Sequence, residues 1–336
     1  MLNFDERRFV DIQTGAARAA GDVATVISHL IETGSTNLFF LGTGGAGILM
    51  EPAAHLLQSR SKFPTFLERP AELVRHGSVH LGPTSIVVIP SRSGNTKESV
   101  EALNYCKEHA AVVVTLTAHA DTPLAQQADH NISTFAADDT SSESFYVQSL
   151  GAASGVLSAV DGIDQSNFHG VLEHFADLLL EVKKQMESSA EVSAQFLASH
   201  RSHIFTGAGS TWPEAHYFAM CILEEMPWIP PRPVHASDFF HGTLELVDAT
   251  SSIVIFKGED ESRILTDRVE SFARTLTEQI LVLDTKEFSL PGTDESARSW
   301  MSPIILATAL ERVSAHLEKI RDHPLTTRRY YRQIDY

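Results

Sequence analysis

Short apolar runs alternate with longer amphipathic stretches along the 336 residues of this chain. In the first half, runs rich in Val, Ile, Leu and Phe predict strands early in 37–48 and at 64–68, 85–90, 111–117 and 131–135. The stretches between them predict helices at 4–33, 46–60 and 95–108. Apolar, β-branched strands separated by helices are typical of parallel strands buried on both faces, so the pattern predicts a layered α/β domain.

The second half repeats the first. NLFFLGTGGAGI at 37–48 and SHIFTGAGSTW at 202–212 share an apolar run, a Gly-x-Gly turn and a helix-like continuation, about half a chain apart. Helices at 167–200 and 260–278 and strands at 230–235, 252–256 and 279–284 complete the pattern. We therefore predict two similar three-layer α/β/α sandwich domains with parallel sheets, at 1–163 and 164–336, with a linker within 161–167.

The composition of the chain argues against several classes of function. With 26 Lys and Arg against 43 Asp and Glu, the formal net charge is −17, which argues against binding to nucleic acid or to an anionic membrane surface. The N-terminus MLNFDERRFVDIQ lacks the apolar core of a signal peptide, and no apolar run approaches the roughly 20 residues of a membrane span. Cys106 and Cys221 form no disulfide framework and lack metal-site spacing. We expect a cytoplasmic protein that needs no metal.

The segment SRSGNT at 91–96 is the first candidate site. It directly follows a predicted strand and precedes a predicted helix, so hydroxyls and backbone N–H groups converge at the positive end of a helix dipole. This arrangement suits a phosphate dianion, while a helix cap without any ligand explains the same residues equally well. A nucleotide P-loop is not supported, because GxxxxGK[ST] is absent. GTGGAG at 42–47 fits a dinucleotide loop poorly.

A carboxylate and a histidine form the second candidate site. Glu225 ends a predicted helix before Pro227, and His241 follows sixteen positions later in DFFHGTLE. Glu224 competes with Glu225, because adjacent helix residues point about 100° apart and only one of them is expected to face a site. A carboxylate and a histidine are suited to general acid–base chemistry.

These residues resemble those of the sugar isomerase (SIS) domain family in its tandem form. The loop SRSGNT is similar to the family's Ser-x-Ser-Gly-x-Thr phosphate loop, and the paired Gly-rich turns are similar as well. The resemblance implies an SIS fold, which is flavodoxin-like, and a substrate that is a phosphorylated sugar. It implies phosphate contacts from the side chains and backbone of Ser91, Arg92, Ser93, Thr96 and Gly44. In addition, 138–145 resembles a segment that closes over the substrate, with Ser141 as a candidate contact.

Within that family, FFHGTLE at 239–245 and HPLTTRRY at 323–330 resemble motifs of the fructosamine-6-phosphate deglycases. This resemblance implies cleavage of a fructosamine 6-phosphate to glucose 6-phosphate and a free amine, with Glu225 and His241 as catalytic residues and no cofactor. It also implies a homodimer or higher homo-oligomer, in which His241 acts in its own chain or in a neighbouring subunit. The released amine stays open, and Arg232 or the Arg328-Arg329 pair are candidate contacts for an acidic one.

The isomerase half of glucosamine-6-phosphate synthase has the same sixteen-residue step from Glu to His, so an aminosugar-6-phosphate deaminase or isomerase is the alternative. The chain departs from that synthase in three ways. A Gly stands at position 44 instead of a Ser, no catalytic Lys stands in RRYYRQIDY, and Phe218 replaces a carboxylate. FKGED at 256–260 replaces a second Ser-x-Ser loop, so we expect one phosphate site per chain. A non-catalytic sugar-phosphate sensor ranks last, since no helix-turn-helix segment or basic stretch is present.

Overall fold

The computed structural model describes residues 1–331 and 333–335. The chain divides into two compact units, and the boundary between them lies within the helix Ser166–Ser199. One unit is Glu6–Leu178; the other is Met1–Asp5 together with Leu179–Tyr336. The predicted domain limits at 163 and 164 stay a prediction.

The first unit contains five strands and most of the first eight helices. Its elements are α1 (Glu6–Glu32), β1 (Asn37–Leu41), α2 (Gly45–Ile48), α3 (Glu51–Arg60), β2 (Thr65–Glu68), α4 (Pro70–His76), β3 (Ser85–Ser91), α5 (Lys97–Glu108), β4 (Val112–Thr117), α6 (Pro123–Gln127), β5 (His130–Ser133), α7 (Ser141–Asp161) and the start of α8 (Ser166–Ser199).

All five strands of this unit are parallel, in the order β2-β1-β3-β4-β5. Phe39 lies opposite Val87, and Val87 lies opposite Val113, so one sheet face carries these side chains. They pack with Leu73 of α4, with Leu103 of α5 and with other apolar residues of the same core. The intervening strand residues, such as Phe40 and Val88, are also fully buried. Both faces of the sheet are therefore covered.

Helices α1 and α7 lie unusually close together. A Cβ atom at Gly151 of α7 would lie 2.3 Å from the carbonyl oxygen of Ala20 in α1. This close approach requires small residues, and it removes one side of α7 completely from solvent. Ten consecutive residues of α7, from Phe145 to Ser154, are all buried. Since no polar face remains, the sequence of α7 lacks the amphipathic period that would have predicted a helix.

The second unit is a smaller version of the first. Its elements are β6 (His203–Gly207), α9 (Trp212–Tyr217), a π-helix (Phe218–Glu224), β7 (Pro231–His235), β8 (Ile253–Lys257), α10 (Arg263–Ala273), β9 (Ile280–Asp284) and α11 (Glu295–Arg321), with short 3₁₀ turns at Phe239–His241 and Thr243–Leu246. The four strands are parallel, in the order β7-β6-β8-β9.

The core of this unit lies on both sides of its sheet. On one side, Ile253 and Ile255 pack in the same core as Val269 and Ala273 of α10. On the other side, the rings of Phe205 and Phe256 lie with their centroids 5.9 Å apart, and Phe218 packs against both. The predicted α/β class with parallel sheets is confirmed.

Several predicted elements differ from the observed ones. The single helix expected at 46–60 is broken into α2 and α3, and the helix expected at 260–278 shrinks to Arg263–Ala273. The expected loop 138–145 turns helical at Ser141, where α7 begins. The helices α4, α6, α7 and α11 were not predicted. Of these, α4 and α6 are only 7 and 5 residues long, too short to show a helical period.

Candidate functional site

The crevice between β1 and β3 is where a parallel sheet of this order binds ligands. From β1 the chain crosses to β2 on one side, while β3 pairs with β1 on the other side and continues to β4. The connections after β1 and β3 therefore run in opposite directions and leave an opening at the carboxyl ends of these two strands. Gly42–Gly44 follow β1 and 92–96 follow β3. Both of the predicted phosphate-contact segments thus border the same crevice.

The loop SRSGNT has a fixed curled shape. Ser91 is buried, and its Oγ accepts a hydrogen bond from the backbone N–H of Gly94 at 3.1 Å. The same Oγ lies 3.3 Å from Oγ1 of Thr96. Gly94 has a φ of +62°, and a Cβ atom there would lie 2.1 Å from Oγ1 of Thr122. The loop therefore requires glycine at this position, as a backbone that curls around an anion would.

Thr96 bears on the alternative that this loop is only a helix cap. It is the N-cap residue of α5, yet its side chain makes no capping hydrogen bond. Its hydroxyl forms a hydrogen bond with the hydroxyl of Ser91 instead. The backbone N–H groups at the start of α5 are therefore not satisfied by the N-cap side chain, which favours the anion-binding interpretation.

Arg92 and Ser141 both contact Asp138. Arg92 is exposed, and its guanidinium forms an ion pair of 2.6 Å with the Asp138 carboxylate. Ser141 Oγ donates to the backbone oxygen of the same Asp138 at 3.4 Å. The structure therefore brings the loop SRSGNT and the segment 138–145 together, although Ser141 lies in the first turn of α7 and not in a loop. Sequence reasoning missed Asp138, which no motif distinguishes from other surface carboxylates.

Gly44 forms the N-cap of α2 with a φ of 56°, and nothing lies within 4 Å of the place where a Cβ atom would be. The space beside this backbone is open. Ser93 is half-buried between Arg92 and Gly94. Contacts from Gly44 and Ser93 to a phosphate remain predictions.

The corresponding place in the second unit holds a carboxylate. After β6, Ser210 donates to Asp260 from its backbone N–H at 2.8 Å and from its Oγ at 2.5 Å. The backbone N–H of Ser262 donates to the other oxygen of Asp260 at 2.8 Å. A carboxylate of the chain thus takes the donors that a bound anion would use. This agrees with the expectation of a single phosphate site per chain, and Asp260 was not identified from the sequence.

Glu225 follows directly after the π-helix Phe218–Glu224. Helices of this type are rare and often occur at functional sites, because the extra residue per turn changes where side chains point. Glu224 and Glu225 both line a cavity of about 410 Å³, and the expectation that only one of them faces a site stays a prediction. Among the described residues, an arginine holds Glu225 but not Glu224: Arg328 Nε donates to Glu225 Oε1 at 2.9 Å.

The segment HPLTTRRY packs against the turn that follows Glu225. His323 Nε2 lies 3.0 Å from the carbonyl oxygen of Met226. The rings of His323 and Trp228 pack in a T-shaped arrangement, with their centroids 4.5 Å apart. The guanidinium of Arg329 lies 3.8 Å from the centroid of the Trp228 ring. The remaining cavity lining comes from both segments: Ile229, Pro230, Tyr330 and Tyr331. Two motifs about 100 residues apart in sequence therefore form one wall.

Cys221 lies in the same π-helix. Burial, with the nearby charges of Glu225, Glu214 and Glu224, raises the pKa of its thiol to about 12. Burial alone raises the pKa of Cys106 to about 12 as well. With pKa values this high, both thiols are protonated near neutral pH, which disfavours them as nucleophiles.

His241 ends the short 3₁₀ turn that begins at buried Phe239. Its side chain is exposed and makes no hydrogen bond with a described residue. It does not belong to the lining of the cavity that contains Glu225. Nearby, His235 Nδ1 lies 2.7 Å from Ser237 Oγ, and the backbone oxygen of Asp238 accepts a hydrogen bond from the backbone N–H of His241 at 2.9 Å. These contacts fit structural roles for His235 and Asp238.

The described part of the chain has neither a candidate metal-binding group nor a candidate membrane-spanning helix. There, no group of three or more His, Cys, Asp or Glu side chains is placed to hold a metal ion. Among the helices of residues 1–331, none is both long and apolar enough to cross a membrane.

Comparisons with known proteins show what this chain is similar to. Residues 33–157 match the SIS domain family. The chain is 28% identical to fructosamine deglycase FrlB of Bacillus subtilis over 89% of its length and 92% of the relative. It is 23% identical to fructoselysine 6-phosphate deglycase of Escherichia coli over 92% of its length and 89% of the relative. A crystal structure from Bacillus subtilis, of a candidate phosphosugar isomerase, aligns with a TM-score of 0.85 and 26% identity, covering 96% of this chain and 99% of that one. The predicted resemblance to the SIS domain family is confirmed.

Proposed function

We propose that this chain is an enzyme that cleaves fructosamine 6-phosphates, releasing glucose 6-phosphate and a free amine or amino acid. The observation that carries the proposal is the contact between Glu225 and Arg328. This contact connects the HPLTTRRY motif to a carboxylate that is suited to proton transfer. Both residues line a cavity of about 410 Å³. The similarity to two deglycases over about nine tenths of the chain supports it.

The phosphate is bound, in this proposal, by the first unit. Ser91, Ser93 and Thr96 supply hydroxyls, Arg92 supplies a positive charge, and the start of α5 supplies backbone N–H groups. The backbone at Gly44 and the hydroxyl of Ser141 complete the set. A local cluster of donors is needed because the chain as a whole is strongly negative.

Glu225 is the proposed base. The substrate is an open-chain ketose with an amino group on C1, and its C1 proton is acidified by the C2 carbonyl. Glu225 takes this proton while the C2 oxygen gains one, which gives an enaminol. A proton then returns to C2 as the nitrogen lone pair forms a C=N bond with C1. Water adds to this imine and the C–N bond breaks, giving an aldehyde and an amine without net oxidation or reduction.

His241 is the proposed acid and base for the oxygen atoms, in opening the sugar ring and in proton transfer at the C2 oxygen. Its ring is exposed and outside the cavity that contains Glu225, so we propose that it acts at the site of a neighbouring subunit in a homodimer or higher homo-oligomer. A side chain that reaches solvent and has no hydrogen-bond partner among the described residues is suited to such a role.

A substrate panel tests the proposal. The purified protein is incubated with fructosyl-amino acid 6-phosphates, and glucose 6-phosphate is measured with a coupled dehydrogenase. Glucosamine 6-phosphate, with ammonia as the product to be measured, is the control for the alternative. Release of glucose 6-phosphate from the first group and no ammonia from the second is the expected result. Rapid ammonia release with no deglycation would support the deaminase alternative instead.

A further inference from the structure

The two arginines beside Glu225 have different surroundings. Arg328 makes three hydrogen bonds: Nε bonds to Glu225 at 2.9 Å, and Nη1 bonds to the carbonyl oxygens of Leu325 at 2.6 Å and Thr327 at 3.1 Å. Arg329 is exposed and forms no ion pair with any carboxylate in the described part of the chain.

Trp228 holds the guanidinium of Arg329 in place. The guanidinium carbon lies 3.8 Å from the centroid of the indole ring, a stacking distance. A guanidinium that stacks by its face keeps its N–H donors free at its edge, where they match the two oxygens of a carboxylate. Trp228 itself has a φ of 56°, a region that bulky residues rarely occupy. Strain of this kind persists where contacts hold it and is frequent in ligand clamps.

The chemistry of the proposed substrate places a carboxylate near this arginine. Because Glu225 removes the proton from C1, C1 and its attached nitrogen lie in the cavity that Glu225 and Arg329 both line. When the amine is an α-amino acid joined through its α-nitrogen, its carboxylate is separated from that nitrogen by a single carbon atom. When lysine is joined through its side chain, the carboxylate lies much further away along the flexible chain.

We infer, on the basis of the proposed function, that Arg329 binds the carboxylate of the amine half of the substrate and favours α-linked fructosyl-amino acid 6-phosphates. Arg328 orients the base, and Arg329, its neighbour in sequence, selects the substrate. The same segment thus serves catalysis and specificity.

A pair of substrates that differ only in charge tests this inference. Fructosyl-glycine 6-phosphate carries a carboxylate, and fructosyl-glycinamide 6-phosphate carries a neutral amide of nearly the same size. The wild-type protein should use the carboxylate with a kcat/KM about 10- to 100-fold higher, as expected for a charge-assisted hydrogen-bonded pair. Arg329→Gln should lose this preference through a higher KM for the carboxylate, with the amide unaffected. Arg329→Lys, which keeps the charge but loses the planar fork, should fall between them.

Arg201→Gln is the matched control, since Arg201 is also exposed, lies in the same unit and does not line the cavity. Equal use of both substrates by the wild type would overturn the inference and leave the proposed function intact. An equal loss with both substrates in Arg329→Gln would also overturn it, because it would show a structural role. Failure of the wild type to release glucose 6-phosphate from either compound would instead reject the proposed function, and the inference with it.

Discussion

Arg328 donates a hydrogen bond of 2.9 Å from its Nε to one carboxylate oxygen, Oε1, of Glu225. The side chain of Arg328 is only 16% exposed and is fixed by two backbone carbonyl groups, whereas the side chain of Glu225 is 41% exposed. The bond thus orients an accessible carboxylate, and Oε2 accepts no hydrogen bond from a described residue. We regard Arg328 as a positioning residue for the proposed base.

Replacing Arg328 should therefore affect turnover more than binding. We expect Arg328→Gln to lower kcat by about 10- to 100-fold with a KM within a few-fold of the wild type, since misplacement of a base by about 1 Å has effects of this size. Steady-state kinetics with a fructosamine 6-phosphate measure both constants. Arg321→Gln, an exposed change at the end of α11, serves as the control. An unchanged kcat in Arg328→Gln would show that the bond has no role in catalysis.

Arg92 should matter for the phosphate of the substrate. Because its ion pair with Asp138 lies at the surface, the loss of that pair alone has a small effect on stability. Arg92→Gln should raise KM for the phosphorylated substrate by about 10- to 100-fold while kcat changes little. Asp138→Asn keeps Arg92 and should raise KM less. The idea would be contradicted if Arg92→Gln had the KM of the wild type, or if it impaired an unphosphorylated fructosyl-amino acid equally.

Two inactive variants should restore each other if His241 acts in a neighbouring subunit. In a twofold dimer, a chain with Glu225→Gln and a chain with His241→Ala form one damaged site and one intact site. Random pairing of equal amounts should give about one quarter of the wild-type activity, since half of the dimers are mixed and each has one working site. Co-expression with two different tags and activity assays on each fraction measure this. A mixture as inactive as its components would place His241 at its own chain's site.

The pH dependence of stability should include a contribution from His203. This side chain is 1% exposed, lies 2.8 Å from Ser252 Oγ through Nδ1 and 3.0 Å from the carbonyl oxygen of Leu197 through Nε2. Burial lowers its pKa to about 4. Since the unfolded chain binds this proton near pH 6.5, the neutral buried ring contributes fully above that pH. The contribution is lost as the pH falls from 6.5 to 4, about 3 kcal/mol in total.

His203→Gln provides the comparison, because its amide can donate to Leu197 and cannot be protonated in this range. Urea unfolding at several pH values should show that the wild type loses about 3 kcal/mol more stability than the variant between pH 7 and pH 4. Parallel stability curves for the two proteins would mean that the buried ring does not resist protonation.

The sequence predicted the strands and the loop SRSGNT because both depend on local signals, apolar runs and turn residues. It did not predict α7, in which residues 143–157 are all buried, so that its sequence lacks a period. It could not show that Asp260 occupies the donors of the second unit, since a carboxylate within FKGED resembles any surface residue. The contact of Arg328 with Glu225 joins positions 103 apart, and only the folded chain brings them together. The motif HPLTTRRY pointed to this segment, but it did not show what its arginines contact.

Turnover by Glu225→Gln is the most direct test of the central claim. The substitution keeps the size of the side chain and a hydrogen-bond acceptor for Arg328, so the fold should survive, as circular dichroism and the unfolding midpoint can verify. We predict that release of glucose 6-phosphate from a fructosyl-amino acid 6-phosphate falls by about 100- to 10,000-fold, the range for removal of a general base. Exchange of the C1 proton with deuterated solvent should stop as well. A correctly folded Glu225→Gln protein with wild-type turnover would contradict the account.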